Sequence, residues 1–294
     1  MQSPERRELG RRLSRLANAS IAEVLAMADS DAGCAARIGL TGPPGAGKST
    51  LGARLALLRG RTRRVGFLAI DPSSPRSGGA ILGDRIRIDE LDSAGDLYVR
   101  SIASRSAGDG LAENLPELLH AMDAAGFDEV LLETVGIGQA EHGVRSQVDT
   151  LVLLLMPQSG DVVQAMKAGI MELADVYVVN KADLAGADAV ASDTRGVLRG
   201  AGVAAPRTPG WTPPVLLASS ADAASIERVS VEIDRHQQWL AGHADPGALH
   251  VERARYRLLS LLQRRMHEVV SALPVEIFQR PLAAQYAAAL DATR

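Results

Sequence analysis

The stretch from Thr41 to Thr50 places glycines, a lysine and a serine in the order G-x-x-x-x-G-K-S, the pattern of a phosphate-binding loop. Its glycines let the backbone approach phosphate oxygens closely, so that successive N–H groups can surround them. Lys48 supplies a positive charge for the β- and γ-phosphates, and the Ser49 hydroxyl is a ligand for Mg²⁺. We therefore expect nucleotide phosphates to contact the loop residues Gly42, Pro43, Pro44, Gly45, Ala46, Gly47, Lys48, Ser49 and Thr50.

Two acids follow apolar runs farther along the chain. Asp71 comes directly after the segment Arg63–Ile70, and Glu133 comes directly after Glu129–Leu132. If both runs are parallel strands, their carboxyl ends meet at the ligand-binding edge of one sheet. Glu133 then occupies the Walker B position, where a carboxylate orients Mg²⁺, and Gly136 suits backbone contact with the γ-phosphate. Asp71 either holds a metal-bound water, polarises the attacking water or caps a turn.

A glycine-rich segment, Ser77–Arg85, lies between these two acids. Its composition is typical of a loop that closes on a bound nucleotide. Asp84 is a candidate metal ligand, and Arg85 is either a phosphate-sensing cation or a solvated loop charge.

A third polar element follows the apolar run Val176–Val179 and reads N-K-x-D from Asn180 to Asp183. A carboxylate accepts both the N1–H and the N2–H₂ of guanine, whereas adenine offers no such pair of donors, so Asp183 favours GTP over ATP. Asn180 is expected to brace the loop, and the stem of Lys181 to lie along the base. Backbone N–H groups of Ser219 and Ser220, after the short strand Val215–Leu217, are expected to approach guanine O6.

The elements that must position these residues indicate an α/β fold. Apolar strands and amphipathic helices alternate along the chain, which predicts a P-loop NTPase with a mostly parallel central sheet flanked by helices. We divide the chain into an N-terminal helical extension (residues 1–36), a GTPase domain (37–241) and a C-terminal helical dimerisation arm (242–294).

The C-terminal arm is expected to start with a Gly/Pro/Asp linker, Gly242–Gly247, followed by a helix that runs to about Ala272. An apolar stripe along this helix needs a covering surface, which favours a homodimer interface. The arginines of the same helix predict a solvated basic face: Arg253, Arg255, Arg257, Arg264 and Arg265.

Composition narrows the class of protein. The chain has 294 residues, of which 46% are hydrophobic, and a net charge of −3, so bulk attraction to nucleic acid or to a membrane surface is not indicated. The single cysteine, Cys34, excludes an intrachain disulfide. No apolar run approaches the roughly 18 residues of a membrane span, and no signal sequence is apparent, so a cytoplasmic protein is expected.

These motifs together resemble the MeaB-like (ArgK-like) GTPases, a family of P-loop metallochaperone GTPases. The resemblance is carried by segments from the phosphate-binding loop to the N-K-x-D element: Gly42–Thr50, Asp71–Pro75, Ser77–Arg85, Glu133–Glu141, Lys167–Ile170 and Asn180–Asp183. It implies GTP and Mg²⁺ as ligands, and an adenosylcobalamin-dependent acyl-CoA mutase, such as methylmalonyl-CoA mutase, as the partner. It also implies a homodimer, and GTP-gated transfer of cofactor from an adenosyltransferase.

The resemblance further implies roles for single residues. It adds Gln164 and Lys167 as a switch element through which the mutase stimulates hydrolysis, so that the catalytic set becomes Lys48, Asp71, Glu133, Gln164 and Lys167. The acids near the metal are Asp71, Asp84 and Glu133, beside Ser49. One departure from the family pattern is Ser104–Leu111, where relatives carry a glycine-rich run. Turnover is expected to be slow without the partner.

Three other functions remain open from the sequence. A nickel-inserting metallochaperone GTPase needs a metal-carrying element, but Cys34 is alone and the 6 histidines form no close pair. A P-loop kinase for small molecules is disfavoured by Asn180–Asp183. A regulatory binding protein with little turnover is the third.

Overall fold

The computed structural model describes residues 3–27, 34–72, 97–104, 112, 114–134, 140–157, 170–200 and 210–293. Within these ranges, a 7-stranded sheet has the order β3-β2-β4-β1-β5-β6-β7. Each pair of neighbouring strands is parallel, so all carboxyl ends lie at one edge. The strands are β1 (Ala36–Thr41), β2 (Val65–Pro72), β3 (Leu97–Ser104), β4 (Glu129–Glu133), β5 (Thr150–Leu155), β6 (Val176–Val179) and β7 (Val215–Leu217).

Helices cover both faces of this sheet. They are α1 (Ser3–Ala17), α2 (Ile21–Leu25), α3 (Lys48–Arg59), α4 (Leu115–Ala124), α5 (Ala140–Gln147), α6 (Ala187–Gly200), α7 (Ala223–His243), α8 (Pro246–Ala272) and α9 (Leu282–Asp291). Short 3₁₀ turns lie at Ile170–Glu172 and Val275–Gln279. None of the helices in the described ranges has both the length and the apolar character needed to cross a membrane.

The fold agrees with the predicted α/β class because buried strands alternate with helices. On one face α1, α4 and α5 pack over the sheet through Leu13, Leu118 and Val144. On the opposite face α3 and α7 pack over it through Leu55 and Ile233. Central strands such as β5 are buried along their whole length, as expected for a parallel sheet covered on both faces.

One predicted boundary differs from the structure. The linker is shorter than the predicted segment Gly242–Gly247, because α7 continues to His243 and α8 begins at Pro246. Asp245 caps the start of α8 by accepting a hydrogen bond from the Gly247 N–H. Helix α4 begins at Leu115, with Pro116 in its first turn, where the missing N–H costs little.

The prediction of a solvated basic face on α8 is wrong for three of its arginines. Arg253 contacts Asp149 at 2.7 Å, and Arg257 contacts Glu117 at 2.8 Å. Arg264 donates to Asn114 Oδ1 and to the Ala19 carbonyl, each at 2.9 Å. The acids and carbonyls on other elements attract this face of α8 toward the sheet, so the arginines attach the helix to the rest of the chain.

Candidate functional site

The phosphate-binding loop connects the end of β1, in the middle of the sheet, with the start of α3. Gly42, Gly45 and Gly47 have φ angles of 141°, 79° and 83°, which strain any residue with a side chain. A Cβ atom on Gly42 would also lie 2.2 Å from the Leu154 carbonyl oxygen. The glycine spacing of the motif therefore corresponds to backbone conformations that the loop requires.

Lys48 is the first residue of α3 and is buried, with 7% of its surface exposed. Its Nζ donates to the Gly42 and Pro43 carbonyls at 2.8 and 3.1 Å, so the ammonium lies across the loop. Gly47, the N-cap of α3, has no side chain that could occupy the N–H groups of the first turn. The loop thus combines a positive charge with the positive end of a helix dipole, an arrangement suited to a phosphate chain.

The Ser49 hydroxyl donates to Glu133 Oε1 at 2.6 Å. Glu133 ends β4, the neighbour of β1, and Thr134 after it donates its N–H to the Leu40 carbonyl at 3.1 Å. This pairing of strands brings together a hydroxyl and a carboxylate that are distant in the sequence. Both are hard oxygen donors, which Mg²⁺ prefers, so the residues present fit a magnesium ion beside the phosphate loop.

Asp71 lies on β2, where Ala69 pairs with Glu133, so the backbone of Asp71 is at the same edge of the sheet. Its side chain is outside the described part of the structure. Four other residues predicted for the site lie wholly outside the described residues: Asp84, Gly136, Gln164 and Lys167.

The N-K-x-D segment follows β6 and contacts the phosphate loop directly. Asn180 Nδ2 donates to the Ala46 carbonyl at 2.8 Å, and its backbone N–H donates to the Leu155 carbonyl at 2.8 Å. A Cβ atom on Gly47 would approach Asn180 Nδ2 to 2.5 Å. Lys181 has a φ of 55°, the only positive value at a non-glycine position in the described residues. Asn180 therefore fixes the base-reading segment against the phosphate loop.

Asp183 is exposed at the same edge of the sheet and is held by the segment after β7. The Ser219 hydroxyl donates to Asp183 Oδ1 at 2.6 Å, and the Ala182 N–H donates to the Ala218 carbonyl at 2.9 Å. That hydroxyl hydrogen bond, more than any other contact, holds the pKa of the Asp183 carboxyl below its usual value. The carboxylate is therefore ionised at neutral pH, the state that accepts two guanine N–H donors.

The structure gives the two serines after β7 different surroundings. The Ser219 N–H, expected to approach guanine O6, instead donates to Ser225 Oγ at 3.1 Å. The Ala221 N–H donates to Ser219 Oγ at 3.3 Å. Ser220 is exposed between them, so among these groups its N–H is the one left for the predicted contact with the base.

Sequence reasoning missed Ser225, because its contacts depend on how a turn folds back onto a helix. Ser225 is 2% exposed and lies in the first turn of α7, which otherwise buries apolar residues such as Ile226 and Val229. The sequence offered one signal for Ser225: a serine at a helix position where the periodicity predicts a buried apolar residue. A polar side chain at a buried position needs a partner, and the turn supplies it.

Comparison with known proteins identifies the family. The sequence matches the family "Methylmalonyl Co-A mutase-associated GTPase MeaB" over residues 12–274. A curated relative from Caulobacter vibrioides is 38% identical over 245 residues, which are 82% of this chain and 74% of the relative. The methylmalonic aciduria type A homolog of Mus musculus, a mitochondrial protein, is 43% identical over 148 residues, 50% of this chain and 36% of that protein.

The chain is shorter than several relatives. It spans 63% of the length of a Mycobacterium bovis relative, with 40% identity, and 63% of a Pyrococcus abyssi relative, with 42% identity.

A solved structure supports the fold independently. The crystal structure of an LAO/AO transport system kinase superposes with a TM-score of 0.63 at 25% sequence identity, over 95% of this chain and 90% of that one. The family match covers the phosphate loop, the Ser49–Glu133 pair and the base-reading segment. The chain therefore belongs to the methylmalonyl-CoA mutase-associated GTPase family MeaB and is a P-loop GTPase.

Proposed function

We propose that this GTPase gates the loading of adenosylcobalamin into an acyl-CoA mutase, methylmalonyl-CoA mutase or a relative, and protects that enzyme. The observation that carries the proposal is the match to the mutase-associated family over residues 12–274, which includes every described element of the nucleotide site. The same match favours this function over nickel insertion and over a small-molecule kinase.

Hydrolysis converts GTP and water to GDP and phosphate at the edge of the sheet. Lys48 neutralises charge on the β- and γ-phosphates, while the loop N–H groups hold the phosphate oxygens in place. Ser49 and Glu133, with Asp71 and Asp84, would hold Mg²⁺, which neutralises further phosphate charge. Asp71 is the candidate for orienting the attacking water, and Gly136 for contacting the γ-phosphate. Asn180, Lys181 and Asp183 select the guanine base.

Coupling to the mutase is assigned to Gln164 and Lys167, which lie in the sequence between β5 and the turn at Ile170. A partner that orders catalytic groups raises turnover by positioning and charge stabilisation, as activating proteins do for other GTPases. The adenosyltransferase supplies the cofactor in this scheme. Because GTP and acyl-CoA substrates are intracellular metabolites, we place the activity in the cytoplasm.

The proposal assigns one role to each of the three parts of the chain that the sequence predicts. Residues 37–241 act as the GTPase domain, residues 1–36 as a helical extension and residues 242–294 as the dimerisation arm. Support for the arm comes from the apolar side chains on the outer side of α8, where Leu258, Leu259 and Leu262 are 58%, 50% and 52% exposed.

The test is GTP turnover of the full chain, measured with and without each adenosylcobalamin-dependent mutase from the same cell. We expect a partner mutase to raise the rate by about tenfold or more, and Lys167→Ala to lose this increase. GTP-dependent transfer of cofactor from adenosyltransferase to mutase is measured in parallel. An unchanged rate with every mutase, together with cofactor transfer that ignores GTP, would defeat the chaperone function but not the GTPase assignment.

A further inference from the structure

Ser225 connects the start of α7 to the turn that follows β7. Its buried Oγ accepts the Ser219 N–H at 3.1 Å and donates to the Asp222 carbonyl at 2.6 Å. The Ser219 carbonyl lies 3.1 Å from the same oxygen. The turn itself is closed by the Asp222 N–H, which donates to the Ser219 carbonyl at 3.0 Å. One hydroxyl thus bonds both ends of a turn that begins at Ser219.

The position of Ser219 decides where Asp183 points. The Ser219 hydroxyl has one proton, which it donates to Asp183 Oδ1 at 2.6 Å, while it accepts the Ala221 N–H at 3.3 Å. Asp183 is exposed, and besides the Ser219 hydroxyl its carboxylate interacts with its own backbone N–H and with the charge of Lys181. A displacement of the Ser219 backbone would move the donor that orients this carboxylate.

We propose that Ser225 is a positioning residue for guanine recognition, acting through Ser219 to orient the carboxylate of Asp183. The contact runs from a helix on one face of the sheet, through a closed turn, to the group that reads the base. Ser225 touches no atom of the nucleotide in this scheme. Ser225 affects how well the Asp183 carboxylate accepts hydrogen bonds from the two guanine donors. It therefore affects the choice between bases.

Inosine diphosphate is the probe that isolates this effect. Hypoxanthine keeps the N1–H and O6 of guanine but lacks the N2 amino group, so the affinity ratio of GDP to IDP reports the second hydrogen bond to Asp183. If the Asp183 carboxylate is wrongly oriented, it accepts a good hydrogen bond from only one of the two guanine donors. The affinity ratio of GDP to IDP then falls, although the phosphates remain bound.

The experiment measures the dissociation constants of the full chain for GDP and IDP by competition with a fluorescent GDP. We expect Ser225→Ala to lower the GDP-to-IDP ratio by about tenfold, the equivalent of one hydrogen bond to a charged group. Ser225→Thr keeps the hydroxyl and should restore most of the ratio. An unchanged ratio in Ser225→Ala would overturn the proposal.

Ser230→Ala is the matched control, because Ser230 is another buried serine of α7. Its Oγ accepts from Arg59 Nη1 at 2.7 Å, away from the base-reading segment. We expect this control to lower the melting temperature, as we also expect of Ser225→Ala, without changing the affinity ratio of GDP to IDP. If both variants lowered the ratio equally, Ser225 would have only a general structural role and the proposal would fail.

A double-mutant cycle tests the route through Ser219. If Ser225 acts through Ser219, the variant carrying both Ser219→Ala and Ser225→Ala should have the same ratio as Ser219→Ala alone. If the two substitutions lowered the affinity ratio additively in free energy, Ser225 would not act through Ser219. Because the measurement needs no mutase, its outcome does not depend on the proposed chaperone function.

Discussion

At the scale of single residues, Asp183 is the group that we propose selects the base. The pKa of its carboxyl is lowered, first by the hydrogen bond from the Ser219 hydroxyl, which favours the ionised form. Asp183→Asn keeps the size of the side chain but loses the charge. We expect the preference for GTP over ATP to fall about a hundredfold, since hydrogen bonds to charged groups contribute about 1.5–3 kcal/mol each. The check is competition binding with both nucleotides, and an intact preference would refute the base-reading assignment.

Lys48 is the corresponding residue for the phosphates. Lys48→Ala removes an ammonium that lies across the loop, 2.8 Å from the Gly42 carbonyl oxygen. We expect GTP affinity to fall by more than a hundredfold, about 3 kcal/mol, because a charge-assisted contact with the phosphates is lost in a partly buried site. Isothermal titration calorimetry measures the loss. Arg54→Ala, on the exposed side of the same helix, is the control and should bind GTP normally.

Residue types and spacing were sufficient to predict where several residues of the candidate site lie in the fold. The phosphate loop and the N-K-x-D segment are contiguous motifs, and each follows an apolar run that became a parallel strand. Ser49 and Glu133 meet because β1 and β4 are neighbours in the sheet, which the general topology of such sheets implies. Ser225 could not be predicted, since its role depends on a turn that brings a helical hydroxyl onto Ser219.

At the scale of elements, a buried polar cluster joins α5, β5, β6 and α7. Arg145 forms a two-bond ion pair with Asp175, at 2.6 and 3.0 Å, and Asp175 also accepts the Leu151 N–H. His236 Nδ1 lies 2.8 Å from Thr150 Oγ1. Burial, reinforced by the charge of Arg145 and opposed by that of Asp149, lowers the pKa of His236 to about 3. The imidazole is therefore neutral in the folded protein.

This neutral histidine makes stability depend on pH. The unfolded chain takes up a proton below about pH 6.5, whereas the folded chain does so only near pH 3, so the free energy of unfolding falls as the pH is lowered across that window. We expect His236 to account for a loss of about 2 kcal/mol between pH 7 and pH 5. Urea unfolding at the two pH values measures it. His236→Gln should lose correspondingly less, and an equal loss in that variant would contradict the assignment.

The arginines of α8 have partners that sequence periodicity cannot identify. The pattern identified one basic and one apolar side of the helix, and a solvated basic side was the ordinary expectation. The choice of side depends on groups elsewhere: Glu117 on α4, Asp149 after α5 and the Ala19 carbonyl after α1. These partners are far apart in the sequence, so only the folded arrangement identifies them.

Arg264 and Arg265 provide a matched test of this attachment. Arg264 donates to Asn114 and to the Ala19 carbonyl, whereas the neighbouring Arg265 is exposed. We expect Arg264→Ala to lower the free energy of unfolding by about 1.5–3 kcal/mol, and Arg265→Ala to change it by less than about 0.5 kcal/mol. Urea denaturation compares the two. Equal small effects would mean that α8 is not held by this contact.

At the scale of the whole molecule, two sides of α8 differ in their surroundings. Arg253, Arg257 and Arg264 contact the rest of the chain, whereas the outward side carries leucines that a monomer leaves in water. The 3₁₀ turn and α9 add further exposed apolar side chains, with Val275 72%, Phe278 47% and Tyr286 65% exposed. Exposed apolar surface on this scale is typical of an interface between proteins. A second copy of the chain fits, because the surface is then buried on both copies at once.

Leu262→Asp tests the proposed dimer at the centre of this surface, where Leu262 is 52% exposed. A buried charge without a partner is costly, so the variant should sediment with the 31.0 kDa mass of one chain, while the unaltered protein sediments with twice that mass. Val231→Asp is the control, since Val231 on α7 is 61% exposed outside this surface and should leave the dimer intact. Both variants should bind GDP normally, because neither lies at the carboxyl edge of the sheet. Sedimentation equilibrium measures the mass, and a dimer that survives Leu262→Asp would refute this use of α8.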